Sequence, residues 1–489
     1  MLSRRAVMTT VAAASAGLRA AGAQRPSSEP TAPSPAPATM LRLARRSIDV
    51  NGKPASVLGI RQPDGTFGIT TDVGTPFRVR VENGIDEPSL IHWHGMAPPW
   101  QQDGVSGISA PPIAPGSSAD YDFPLRFGGT FWMHSHQGLQ EQLLMAAPLI
   151  IRDQRDRADE QDVVVMLADF SFTPPEQIFE GLKKMQDMGS MASKARGTPG
   201  SGAMPAMANM PGMVKAGTDA PDLNDVKYDA FLANDRTLAD PQVVKVEPGG
   251  RVLMRIINSS SMSAYHIDLG RLEGELVAVD GFAVMPLSGR SFPNAVAQRL
   301  DIRLKIPREP AMHPVVAVLE GEREQTGIVL QAGNGQIKRV PGLAATASPA
   351  LTLDLEGRLR ATRSLVARKA DRVYRLDLTG SMAGYTWSIN NVVWNKNVPP
   401  LTIAKGERVE LVLTNRTPMP HPMHLHGHQF QVVAIDDRRF SGAVRDTVLV
   451  PPRHRVTVAF DADNPGLWAF HCHLLYHMEA GMFTTFRYV

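Results

Sequence analysis

A ten-residue pattern occurs three times along this chain, and it limits the fold more than any other feature. GTPFRVRVEN runs from Gly74 to Asn83, GGRVLMRIIN from Gly249 to Asn258 and GERVELVLTN from Gly406 to Asn415. The glycine-to-asparagine offset is nine each time. Within each copy apolar residues alternate: Phe77, Val79, Val81; Val252, Met254, Ile256; Val409, Leu411, Leu413. A period of two marks a half-buried β-strand. A unit repeated in this detail implies three related β-domains, and 489 residues is the length of about three domains. Strands bounded by Gly/Pro turns point to an all-β protein of three consecutive antiparallel Greek-key sandwiches.

The register of the repeat extends to histidines. Eighteen residues after Gly74 stands His92, and eighteen after Gly406 stands His424; each opens a His-x-His-Gly, completed by His94 and His426. The same offset from Gly249 lands on Ile267, followed by Leu269 and Gly270. The middle copy keeps the framework and has apolar residues at both histidine positions. His266 is one place off register, so alternation turns it to the other face. A second repeat aligns GTFWMHSH (129–136) with GLWAFHCH (466–473), and Ser135 occupies the place of Cys472. The first and third domains therefore each carry two histidine pairs, and only the third carries a thiol.

Cys472 is the one cysteine of the chain, flanked by His471 and His473, with His477 five residues on and Met482 ten on. No intramolecular disulfide can form. A thiolate, neutral imidazoles and a weak thioether form the ligand set of a blue-copper electron-transfer site. That site needs a second histidine, and HPMHLHG at 421–427 is the obvious supplier. Ten of the fourteen histidines fall in four clusters, at 92–94, 134–136, 421–426 and 471–477. A lone His-x-His is a weak signal that suits zinc equally; four, one straddling a cysteine, are economically explained by copper alone. On a strand, residues i and i+2 share a face and i+1 points away. His471 and His473 can thus serve one metal centre while Cys472 serves another behind them.

Residues 1–23 read as an export signal: Arg4-Arg5, a weakly apolar stretch from Ala6 to Leu18, then Ala21-Gly22-Ala23 as a cleavage site. The paired arginines favour the twin-arginine export machinery. Residues 24–40 form a Pro/Ser-rich tether. No later apolar run approaches the ~20 residues of a spanning helix, so no stable membrane insertion is expected and the exported chain belongs in the periplasm. The net charge of +3 argues for no nucleic-acid partner. The domains are expected at 41–157, 158–340 and 371–489, with 341–370 as connector. In the second, Asp162–Phe170 reads as a strand, and Thr173-Pro174-Pro175-Glu176 as a capping box opening a helix to about Met188. A Met-rich insertion follows at 185–221, with Met185, Met188 and Met191 and then Met204, Met207, Met210 and Met213 at intervals of three. It is either a loop with incidental methionines or a soft thioether surface for cuprous ion.

With these clusters in place, the chain resembles the three-domain bacterial multicopper oxidases, the branch of laccases and periplasmic copper-tolerance oxidases. The resemblance runs from HWHG at 92–95 to HCHLLYHMEAGM at 471–482, and the last stretch looks most like the copper-resistance group. It implies cupredoxin-like domains and four copper ions. The blue (type 1) ion would take His421, Cys472 and His477, with Met482 axial. Type 2 would take His92 and His424. The type 3 pair would take His94, His134, His136, His426, His471 and His473. The implied reaction collects four single electrons from a phenolic or aromatic donor or cuprous ion and reduces dioxygen to two waters. Asp103, eleven residues after His92, matches the family's acidic residue near type 2 copper, although Asp103-Gly104 is also a plain turn dipeptide. Some bacterial relatives have a proton-relaying glutamate directly after the second type 1 histidine. Here that place is Met478, and Glu479, one residue later, is the candidate. His266, His313, His428 and His454 read as structural or solvent-facing. The competing reading is a non-catalytic copper-sequestering protein that uses the Met-rich segment.

Overall fold

A computed structural model describes residues 39–157, 159–184 and 223–489. The leader, the tether up to residue 38 and the Met-rich insertion as far as 222 lie outside the described residues. Six sheets pair into three sandwiches. Two four-stranded sheets lie within 39–152, a six- and a five-stranded sheet within 160–332, and a seven- and a five-stranded sheet within 372–488. Each sandwich encloses its own apolar core, centred on Trp93 and Phe131, on Met254 and Ile302, and on Leu411 and Phe470. The expectation of antiparallel pairing needs one correction. Every sheet also contains one parallel pair, such as Thr39–Leu43 along Val79–Asn83 and Arg372–Leu378 along Val409–Asn415.

The threefold repeat has a physical cause. Gly74, Gly249 and Gly406 take φ of 86°, 78° and 90°, the left-handed conformation that glycine adopts without strain. An eight-residue strand follows in each domain: Pro76–Asn83, Arg251–Asn258 and Arg408–Asn415. Each closing asparagine is buried and works as a corner bracket. Asn83 Nδ2 donates to the carbonyls of Glu87 and Ile113, Asn258 Nδ2 to Ser263 and Asn294, and Asn415 Nδ2 to Met419 and Val450. Each Oδ1 accepts the amide two residues on, from Ile85, Ser260 and Thr417. Buried carbonyls need such donors, so the asparagine sets the turn into the next strand.

Those next strands are Ile91–His94, Tyr265–Asp268 and His421–Leu425. In the middle domain Ile267 and Leu269 join the apolar core, and His266 faces away, with its ring N–H donated to Pro349 O at 3.0 Å. In the second domain the strand runs Glu160–Phe170 and a helix begins at residue 175. The expected capping box is not formed. Pro174 O accepts from Gln177 and Ile178, and among the described residues no bond joins Thr173 to Glu176. Among those residues no helix is long and apolar enough to cross a membrane.

Candidate metal centre

Strand register delivers the histidines. In the first domain His92 lies opposite His134, on the strand Gly129–Ser135. In the third His424 lies opposite His471, on the strand Leu467–Cys472. Among the described residues, four sets made of histidine and cysteine alone result, each with its ligand atoms within 4.8 Å of one another: His92, His94 and His424; His94, His134 and His473; His136, His426 and His471; and His421, Cys472 and His477; a fifth group joins Asp103 to His92 and His426. The first three combine residues of the first and third domains. The fourth lies within the third domain.

Hydrogen bonds fix which ring nitrogen is free. A carbonyl can only accept, so a ring nitrogen facing one must carry the proton. His92 Nδ1 donates to Asp103 O, His424 Nδ1 to Asp446 O, and His471 Nδ1 to Cys472 O, each at 2.9 Å. His134 Nδ1 donates to Ser135 O at 3.0 Å and faces Glu141 Oε2 at 2.9 Å. His426 Nδ1 donates to Asp103 Oδ2 at 2.8 Å. His94 is turned the other way, with Nε2 against Asp446 Oδ1 at 3.1 Å and Nδ1 without a partner. The bare nitrogens then converge. His426 and His471 bring their Nε2 atoms to 2.9 Å, and His92 and His424 to 3.4 Å. The Nε2 atoms of His134 and His473 are buried without partners. Lone pairs aimed at one another with no proton between them repel; a cation among them removes the repulsion. This donor set fits metal.

At Cys472 the same logic holds. His421 Nε2 faces Thr417 Oγ1 at 2.7 Å, and His477 Nε2 donates to Asp225 Oδ2 at 2.9 Å. Their Nδ1 atoms stand 3.2 Å apart, 3.6 and 3.9 Å from Cys472 Sγ. Met482 is fully buried, and its carbonyl accepts the Cys472 amide at 3.0 Å. Trp387 stacks on the His477 ring with centroids 4.0 Å apart. Burial lowers the imidazoles of His94, His136, His421, His424, His426 and His473 well below their ordinary range, neighbouring histidines adding to it for each. Burial brings His471 down to about 3 and pushes the Cys472 thiol up. Neutral rings are ready ligands, whereas the thiol must release its proton to a metal.

The glycines of HWHG and HLHG are close approaches. Gly95 (φ 85°) would drive a Cβ into Arg299 and Asp446, and Gly427 (φ 66°) into Trp468. Asp103 is buried between His92 and His426. Glu479 is not brought to any histidine. It ends the short helix Leu475–Glu479 with its side chain exposed, two residues past His477 and on another face. His428 is held by His426 O and Tyr488 Oη, and His454 by Asp436. Sequence reasoning missed Glu141, Asp225 and Asp446. Asp446 lies beside His94 from 352 residues away and is paired with the buried Arg299, a separation no local motif bridges.

Family models described as multicopper oxidase match residues 47–156, 162–333 and 368–489. The chain is 30% identical to multicopper oxidase MmcO of Mycobacterium tuberculosis, over 90% of this chain and 85% of that protein. It is 28% identical to a copper resistance protein A homolog of Pseudomonas syringae pv. tomato, over 91% and 89%. Among solved structures, Fet3p, a multicopper oxidase that functions in iron import, superposes with a TM-score of 0.74 at 19% identity, over 92% of this chain and 90% of that one. The chain belongs to the multicopper oxidase family. It is a copper-dependent oxidoreductase that couples oxidation of a reducing substrate to reduction of dioxygen.

Proposed function

We propose that the four sets hold four copper ions in three centres. His421, Cys472 and His477, with Met482 axial, hold the blue ion. His92 and His424 hold a single ion. His94, His134 and His473, with His136, His426 and His471, hold a pair. The convergence of unprotonated ring nitrogens supports this reading most directly. Copper, when bound, supplies one-electron acceptance at Cys472 and the four-electron reduction of dioxygen at the histidines. The chain supplies the connection. Cys472 lies one residue from both His471 and His473, so one strand joins the centres covalently. Asp103 is the candidate to hand protons toward the cluster, since it is buried and touches His92 and His426. Glu479, exposed at the end of its short helix, is not brought to any of these rings.

The donor class we assign is a phenolic or aromatic compound or cuprous ion. The axial thioether supports easily oxidised donors, since the axial ligand tunes the potential. The Asp225 carboxylate that accepts from the His477 ring has a fully buried side chain, so it holds that ring rather than meeting the donor. We assign the chain to the periplasm, exported by the twin-arginine route on residues 1–23. The domains we assign are 41–157, 158–340 and 371–489, with 341–370 between the last two.

Oxygen uptake by the copper-reconstituted protein tests this, with cuprous ion and a methoxyphenol as donors, with and without residues 185–213. Cuprous oxidation lost on deletion identifies the methionines as a collecting surface. Phenol oxidation unchanged by deletion identifies a laccase with a spare loop. No uptake with either donor at full copper loading would sink the donor and centre assignments.

A further inference from the structure

Three buried carboxylates stand against the histidine sets, and each faces one histidine of the first domain and one of the third. Asp103 faces His92 and His426; Asp446 faces His94 and His424; Glu141 faces His134 and His473. Asp103 is expected from the sequence and Asp446 is neutralised by Arg299. Among the described residues Glu141 has no cationic partner apart from those rings, and no sequence motif of the chain assigns it a role.

Its backbone is held from both sides. Glu141 lies in the 3₁₀ turn Gln140–Leu143, whose Gln140, Glu141 and Gln142 are all buried. Gln140 Oε1 accepts from the hydroxyls of Ser89 and Ser135, at 2.7 Å each. Gln142 Oε1 accepts from Tyr228 Oη at 2.7 Å, and its Nε2 reaches Asp169 Oδ1 at 3.3 Å. The turn ends on Leu144 in the left-handed region at φ 64°, a conformation that is unfavourable for a residue with a Cβ. A backbone so fixed aims one side chain. Glu141 Oε2 lies 2.9 Å from His134 Nδ1, whose proton is donated to Ser135 O. Oε1 has no hydrogen-bond partner and sits 3.9 Å from His473 Nδ1.

A buried carboxylate oxygen left unpaired is costly and calls for an explanation. Here the explanation is the far side of the two rings. The Nε2 atoms of His134 and His473 would hold a cation, which would draw density from both imidazoles, and the negative charge of Glu141 beside their Nδ1 edges would offset that loss. We infer that Glu141 is a positioning residue: its charge faces the Nδ1 edges of both His134 and His473 and holds the two rings so that ligands from two domains meet at one ion. This rests on the centre assignment proposed above. Outer carboxylates of this kind are worth about 10–100-fold in metal affinity.

The test is a copper titration of the metal-free full chain in a free-copper buffer, reading total bound copper and the blue absorption of the Cys472 centre. Parent protein, Glu141→Gln and Glu141→Ala are compared. The glutamine keeps the volume and one acceptor oxygen and removes the charge, so it alone decides the question if the alanine variant does not fold. The expected result is a shift of the histidine-held ions to roughly tenfold higher free copper in Glu141→Gln and up to about 100-fold in Glu141→Ala, with the blue centre filling as in the parent. Glu141→Gln filling like the parent overturns the inference. So does a parallel loss at the blue centre, which marks a general loss of structure. A parent that does not take four ions instead overturns the centre assignment, and the two failures are thereby told apart.

Discussion

The second and third domains share one framework and differ in what they do with it. Both have the left-handed glycine, the eight-residue strand and the bracketing asparagine. In the third, the next strand presents His424 and His426, with His471 across the ladder. In the second, Ile267 and Leu269 stand there, with Ala317 across from Ile267. The same backbone thus yields a metal wall or an apolar core. Corner chemistry specifies the sandwich, and two alternate side chains per strand specify its use.

The sharpest break is Cys472→Ser, the residue the first domain carries at Ser135. Blue absorption and donor oxidation should fall to background while copper at the histidine sets persists, measured by absorption, oxygen uptake and metal analysis. Retained blue colour would refute the assignment of Cys472. The brackets come next. Asn258→Ala and Asn415→Ala each strip two buried carbonyls of their donor, at about 1–3 kcal/mol per unmet group. Both should lower the melting temperature by similar amounts, and only Asn415→Ala should also lower copper loading.

Acid should separate the domains further. Buried His94 of the first domain and His424 and His473 of the third have depressed pKa values, so below the unfolded value near 6.5 the unfolded chain binds protons the folded chain refuses. Stability is complete above about pH 6.5 and falls as pH drops, by up to roughly 1.4 kcal/mol per pH unit for each such group. Hydrogen exchange of the metal-free protein at pH 7 and pH 5 should show the first and third domains opening before the second. Uniform protection at pH 5 would contradict this. The smallest effect is expected from Ile267→His with Leu269→His. Without a facing histidine strand, bound copper per chain should stay unchanged, and a fifth ion would show that the strand alone suffices.

The strands and the clustering of the histidines were legible because both obey short periods: two along a strand, nine and eighteen from the glycine. Asn83, Asn258 and Asn415 were visible as the end of a repeat, but their bracketing role needs carbonyls up to 36 residues away. Asp225, Glu141 and Asp446 left no periodic trace, since each reaches its histidine through tertiary packing. Glu479 stands two residues past His477, about half a turn of helix, so the two side chains point apart.

Three of the four ligand sets are shared between the first and third domains, so the chain is in effect a heterodimer whose partners travel on one string. Val366, in the stretch before the last sandwich, is 78% exposed and offers a protease a place to cut that string. A nicked protein should hold together more firmly while charged with metal than after chelation, when only packing and buried pairs such as Arg299–Asp446 and Arg445–Asp280 still join its parts. Copper would then be a fastener as well as a reagent, and a cell short of it would be left with an enzyme that comes undone more easily.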